Sequence, residues 1–383
     1  LSTTVKKEVI SWVKTILLAA VLAGLVNSFL IVNAEVPTGS MENTIMAGDR
    51  ILALRTSYWF DEPEAGDIAV FRYPDDETAP KDASQYSLGG YILFAKDFKD
   101  KTSEGVKAAI NSCQALSDIP MLIGVDEEGG LVNRVSKFSE YRSEPFKSPQ
   151  QLFNEGGYEL ITSDTAEKCA LLKSLGINVN LAPVCDVSEN SSSFIYDRTF
   201  GKNAADTSKY VTAVVSQMAA DNMGSALKHF PGYGDNGDTH TDIITDSREL
   251  DIFEKSDFQP FSAGIAAGAD IVLVAHNIVN SMDPDYPASL SPKVHEILRK
   301  QLGFNGVVMT DDLSMDAITK YTDGESAAVQ AVKAGNDLLC CTDYKIQLPA
   351  VMEAVKRGEI SEDTINQSVK RILQMKLDLG IIE

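Results

Sequence analysis

The thirteen residues from Lys228 to His240, K-H-F-P-G-Y-G-D-N-G-D-T-H, hold two of the chain's four histidines among two aspartates and three glycines. Histidine is the side chain whose ordinary pKa lies nearest neutrality. His240, two residues after Asp238 in a glycine-interrupted loop, is therefore a proton donor with a carboxylate placed to orient it. Further along, the apolar run of G-V-V-M-T-D-D-L-S-M-D stops abruptly at Asp311 and Asp312, as a buried strand does when its last residue emerges into a pocket. The two segments predict a carboxylate and an imidazole facing one cavity, equipment for nucleophilic and acid/base chemistry. The competing readings are a helix cap for Asp311 and a solvent-exposed loop position for His240. A metal site from His229, Asp235, Asp238 and His240 is weakened by the fixed charge of Lys228 beside them, so no metal and no cofactor are expected.

Seven short apolar runs must position these residues: 90–94, 121–125, 177–182, 225–228, 270–275, 306–310 and 337–340, each followed by polar residues and a helical stretch. Apolar strands alternating with helices predict a parallel sheet covered on both faces, here a (β/α)8 TIM-type barrel short of one strand. Loops at the C-terminal rim of such a sheet converge on one site. The runs deliver Asp126 and Arg134, Lys228 and His229, His276, and Asp311 and Asp312 to that rim, with Arg198 within reach from the long loop after the third run. For the two arginines an ion pair within the rim is the alternative. Asp312 is expected to act from behind Asp311, and His295, near Lys293 and Arg299, is expected on the surface.

With 383 residues, 44% hydrophobic, the chain can bury a large core without disulfides. Its formal charge of -21 argues against nucleic acid, which is bound through lysine and arginine. Cys113, Cys169, Cys185, Cys340 and Cys341 lack metal spacing and read as ordinary core thiols. Residues 16–32 carry no charge, follow Lys6, Lys7 and Lys14, and precede Glu35. That pattern predicts a single-pass transmembrane anchor with everything after residue 33 outside the cytoplasm; a cleaved signal peptide and a buried helix are the rivals.

The motifs G-G-Y-I-L-F, I-G-V-D-E-E-G-G-L-V-N-R, L-A-P-V-C-D-V, Y-D-R-T-F-G, K-H-F-P-G-Y-G with D-T-H, and T-D-D-L-S-M-D follow one another over residues 88–383. Together they resemble the family 3 glycoside hydrolases of the single-domain β-N-acetylglucosaminidase type. The resemblance implies Asp311 as nucleophile of a retaining double displacement, His240 as acid/base, and Asp238 as the carboxylate orienting it. It implies Asp126, Arg134, Arg198, Lys228 and His229 as ligands of the N-acetylglucosamine ring, with cell-wall fragments or related glycans as substrate. In that family a strand and helix precede the G-G-Y-I-L-F strand, and here other sequence stands in their place.

That other sequence, E-V-P-T-G-S-M-E-N-T-I-M and G-D-I-A-V-F-R-Y-P, resembles the type I signal peptidases over residues 5–77, with Ser40 in the place of their nucleophile. The lysine box that would activate this serine is missing, and a serine hydroxyl without a base is a weak nucleophile; Ser40 is expected to be vestigial. The chain therefore divides into an anchor (1–33), a signal-peptidase-like β fragment (34–77), a junction (78–87) and an α/β barrel domain (88–383). An active membrane peptidase and a non-catalytic remnant are the alternative functions.

Overall fold

The computed structural model describes residues 31–35, 50–54 and 88–383 apart from 240, 241 and 323. The chain forms two compact units, Leu1–Asp75 and Asp76–Glu383. In the first, β1 (Ile31–Glu35) and β2 (Arg50–Leu54) pair antiparallel. The expected anchor runs through residue 33, so its last three residues belong to β1; the rest of it, and Ser40, lie outside the described residues. No helix among the described residues is long and apolar enough to cross a membrane.

In the second unit the predicted runs appear in order as parallel strands: β3 (Gly90–Leu93), β4 (Leu122–Val125), β7 (Val179–Asn180), β8 (Gly224–Phe230), β10 (Ile271–Val274) and β12 (Val307–Thr310). Their order in the sheet is their order in the chain. The seventh run joins through a parallel bridge between Met309 and Leu338. Sequential parallel neighbours joined by helices make an α/β half-barrel, and among the described residues no strand pairs with the free edge of β3. Between the main strands lie β5 (Glu127–Gly129) and β6 (Val132–Asn133), a small hairpin, and β9 (Thr245–Asp246) paired with β11 (Ile278–Val279).

Side-chain alternation divides the sheet into two faces. Leu122, Val179, Leu181, Ala226, Ile271, Val307 and Met309 form the inner core, against which Ile372, Met375, Leu379 and Ile381 of the C-terminal segment pack. The other face, with Ile123, Val125, Leu227, Val272, Val274 and Val308, packs on Val211, Val215, Phe258 and Phe261 of the covering helices. The helix Pro149–Ser174 starts at Ser148 with a reciprocal cap from Gln151 and a proline at its first turn, a start signal written in the local sequence and worth about 1 kcal/mol. It breaks at Gly157, whose φ is 64°.

Candidate active site

Asp126 follows β4 directly, Lys228 and His229 lie in the last half of β8, and Asp311 follows β12 with its amide donating to Val274 O at 3.0 Å. Each therefore sits at the C-terminal end of a parallel strand, where the following loop begins. The strand of Lys228 and His229 runs to Phe230, beyond the predicted end at Lys228. That extension adds His229 to Lys228 as a second polar side chain in a strand whose seven residues are all buried. Buried charges require partners, and the partners define the site.

Lys228 Nζ donates to Asp126 Oδ1 at 2.6 Å and lies 2.6 Å from Glu128 Oε1. Arg198 reaches the same carboxylate, Nη2 to Oε1 at 2.8 Å and Nε to Oε2 at 3.1 Å. Burial works to raise the Glu128 carboxyl, but Lys228 and Arg198 outweigh it and hold the group well below the usual carboxylate range. Burial works to lower Lys228, and Asp126 and Glu128 reverse that and raise it; Arg198 is likewise raised, against its burial, by Glu128. Glu128, Lys228 and Arg198 thus form a row that stays ionised through the neutral range.

The row continues to His229, whose Nε2 lies 3.2 Å from Arg198 Nη2. A guanidinium has no acceptor, so Nε2 accepts and Nδ1 carries the proton, which it donates to Asp186 Oδ2 at 2.8 Å. Asp186 also accepts the amides of His229 (3.1 Å) and Tyr233 (2.7 Å). Burial works to raise Asp186, and His229 with these donors carries it below its ordinary value. Tyr233 turns its hydroxyl to Thr239 Oγ1 at 2.6 Å. Burial pushes that hydroxyl up, and the Asp311 carboxylate nearby adds to the effect. Asp311 and Asp126 likewise both reach the electrostatic surroundings of Cys340, whose thiol is raised first by burial. Asp126, Lys228 and Arg198 thus belong to one cluster, and the Asp311 carboxylate acts electrostatically on Tyr233 and Cys340.

Arg134 follows the β5–β6 hairpin, and its amide donates to Glu127 Oε2 at 2.8 Å. Its Nε is buried with no hydrogen-bond partner among the described residues. Asp238 is half-buried in the loop after β8. His240 lies outside the described residues. Asp312 binds Ser314 and Thr342 through its carboxylate, and its carbonyl lies 2.9 Å from His276 Nε2, so both residues hold the turn behind Asp311. His295 is the correction: it is 3% exposed, with Nδ1 2.8 Å from Ser291 O, because the turn of Pro292–Glu296 places it inward against the 335–336 segment. The two residues the sequence reading passed over are Glu128 and Asp186. Both lay inside motifs, D-E-E-G-G and P-V-C-D-V, and an acidic residue just past a strand end is the signal that would have found them.

With this geometry in view, the comparisons with known proteins are consistent. The model of the Glycosyl hydrolase family 3 N terminal domain matches residues 62–375. A weak match to the Signal peptidase, peptidase S26 model covers residues 9–87. A beta-hexosaminidase of Nitrosomonas eutropha is 34% identical over 280 residues, 70% of this chain and 77% of that protein. An uncharacterized secreted glycosyl hydrolase of Arthroderma benhamiae is 30% identical over 82% of this chain and 93% of its own. Among solved structures, a glycoside hydrolase family 3 beta-N-acetylglucosaminidase from Paenibacillus sp. str. FPU-7 superposes with a TM-score of 0.75 and 32% identity, covering 80% of this chain and 59% of that one.

Proposed function

This chain belongs to glycosyl hydrolase family 3, and from that membership we propose that it is a retaining exo-β-N-acetylglucosaminidase acting on a glycan with a terminal N-acetylglucosamine. The observation that carries the reading is the largely buried row Asp126–Lys228–Glu128–Arg198–His229 at the C-terminal side of the sheet, the side on which Asp311 follows its strand. Charged donors and acceptors at fixed spacing suit a polyhydroxylated ring, and a hydrophobic substrate would gain nothing from them. Asp311 attacks the anomeric carbon while His240 gives its proton to the departing glycosidic oxygen; water, deprotonated by the same imidazole, then releases the sugar from Asp311. Asp238 orients His240 for both transfers. Asp126, Arg134, Arg198, Lys228 and His229 hold the ring, and Glu128 keeps Lys228 and Arg198 aligned.

The fold we assign to this chemistry is a (β/α)8 TIM-type barrel lacking its first strand and helix. The charge-free run before residue 31, behind Lys6, Lys7 and Lys14, supports an extracytoplasmic barrel tethered to the membrane. The test of the activity is hydrolysis of p-nitrophenyl N-acetyl-β-glucosaminide. Asp311→Asn lowers its kcat by at least about 10⁴-fold, as loss of a nucleophile does elsewhere. Folded wild-type protein that leaves this glycoside and N-acetylglucosamine oligomers intact would refute the reading.

A further inference from the structure

The loop that leaves β8 at Pro231 and reaches β9 at Thr245 carries Asp238 and, two residues on, His240. Its near end is fixed by Gly232 N donating to His229 O at 2.8 Å and by Tyr233 N donating to Asp186. Its far end is stitched to the segment after β10, with Ile278 N donating to Ile244 O at 2.8 Å and Asn280 N to Asp246 O at 2.9 Å. One side chain joins the two ends. Arg248 Nη2 donates to Gly232 O at 3.0 Å and to Asp246 Oδ2 at 2.7 Å, Nε reaches Asp246 Oδ2 at 2.9 Å, and Nη1 reaches both Asp257 oxygens at 3.1 Å. The guanidinium also lies over the Phe253 ring, 4.1 Å from its centre.

The carboxylates it holds are buried, at 0% and 2% side-chain exposure. Burial pushes Asp257 up to about 6 against the pull of Arg248, so Asp257 depends on that guanidinium for its charge. The loop backbone rests directly on the cluster. A Cβ on Gly232, whose φ is 117°, would fall 2.4 Å from Asp257 Oδ1, and one on Gly234, at φ 56°, would fall 2.6 Å from Arg248 Cζ. A lysine has neither the planar fork nor the number of donors to replace this arrangement.

We propose that Arg248, with Asp246 and Asp257, is a positioning residue for proton transfer: it fixes the two ends of the loop against each other and so holds Asp238 and His240 at the bond being broken. The inference rests on the glycosidase reading above. When the C–O bond breaks, its electron pair goes to the departing oxygen, and a sugar hydroxyl needs the proton that His240 supplies. A dinitrophenolate leaves without one. Displacing the loop therefore slows poor leaving groups and spares good ones, a pattern that general loss of structure does not produce.

The experiment compares wild type with Arg248→Met on N,N′-diacetylchitobiose and on a 2,4-dinitrophenyl N-acetyl-β-glucosaminide, alongside hydrogen exchange. We expect kcat/KM on the disaccharide to fall about 10²-fold, within the range that general acid catalysis supplies, and on the aryl glycoside by less than about 3-fold. Amides of 233–244 should exchange at least about 10-fold faster while those of the helix Ala204–Ala220 do not change. Equal losses on both glycosides, or unaltered exchange in 233–244, overturn the proposal. Should Arg248→Met not fold, Arg248→Lys, which keeps the charge and loses the fork, gives the same pattern at smaller size. Should wild type hydrolyse neither glycoside, the glycosidase reading falls, and the exchange at 233–244 decides the clamp alone.

Discussion

Glu128→Gln removes one charge and almost no volume from the centre of the site. The carboxylate is 3% exposed and receives Lys228 at 2.6 Å and Arg198 at 2.8 Å. After the change these two cations are left with Asp126 as their shared countercharge. Removing one member of a buried ion pair costs about 3–5 kcal/mol, because the other member stays desolvated. Arg198 retains 20% exposure, so water recovers part of the loss and the lower end, about 3 kcal/mol, is expected. For a unit of this size, Asp76–Glu383, that corresponds to a melting point lower by about 5 °C. The pH dependence supplies an independent check. Glu128 is depressed below its ordinary 4.5 in the folded state, so its contribution is complete above that value and fades as the pH falls below it. Melts followed by circular dichroism at pH 7 and pH 3 should show wild type and variant well separated at the first and closer together at the second, the rest of the difference being lost only at still lower pH. A separation under about 2 °C at pH 7, or one that is equal at both pH values, would refute the network as a stabilising unit.

Asp186→Asn takes the charged acceptor from His229 Nδ1 and from two amides; steady-state hydrolysis should show KM raised about 10-fold, the equivalent of about 1.4 kcal/mol of ring binding, with kcat changed less. The expected tether predicts that the full chain sediments with membranes and resists extraction at alkaline pH, whereas a chain beginning at residue 34 is released into the soluble fraction; equal release of both would remove the anchor from the account.

How much of this was legible in the sequence depended on how local the cause was. The runs L-I-G-V, I-V-L-V and V-V-M-T are strands because β-branched and aliphatic residues buried on both faces have little other use. The Ile177 run shortens to Val179–Asn180 as a ladder, since Pro183 soon withdraws a donor from the backbone. Asp126, Lys228, His229 and Asp311 were placed at strand ends by counting alone. Their partners were not, because Lys228 meets Asp126 across 102 residues. The adjacent pair Glu127 and Glu128 shows the limit most sharply. Glu127 turns into its own hairpin and caps the amides of Arg134, Val135 and Ser136, while Glu128 enters the site, and the text E-E-G-G gives both the same letter. The burial of His295 is of the same kind, since K-V-H-E reads as surface until the segment packed above it is known.

The inner face of the sheet is sealed from below by the helix Glu362–Asp378 and the residues just after it, through Met375, Leu379 and Ile381, and Lys376 Nζ lies 3.5 Å from Gly89 O beside the first strand of the sheet. The earliest and latest parts of this unit are therefore neighbours. At a synthesis rate of about 5–20 residues per second, the nascent sheet spends many seconds with its inner face unstopped while the intervening segments emerge. Until the last helix emerges, Leu122, Val179 and Ile271 lack the Met375, Leu379 and Ile381 that cover them in the finished unit.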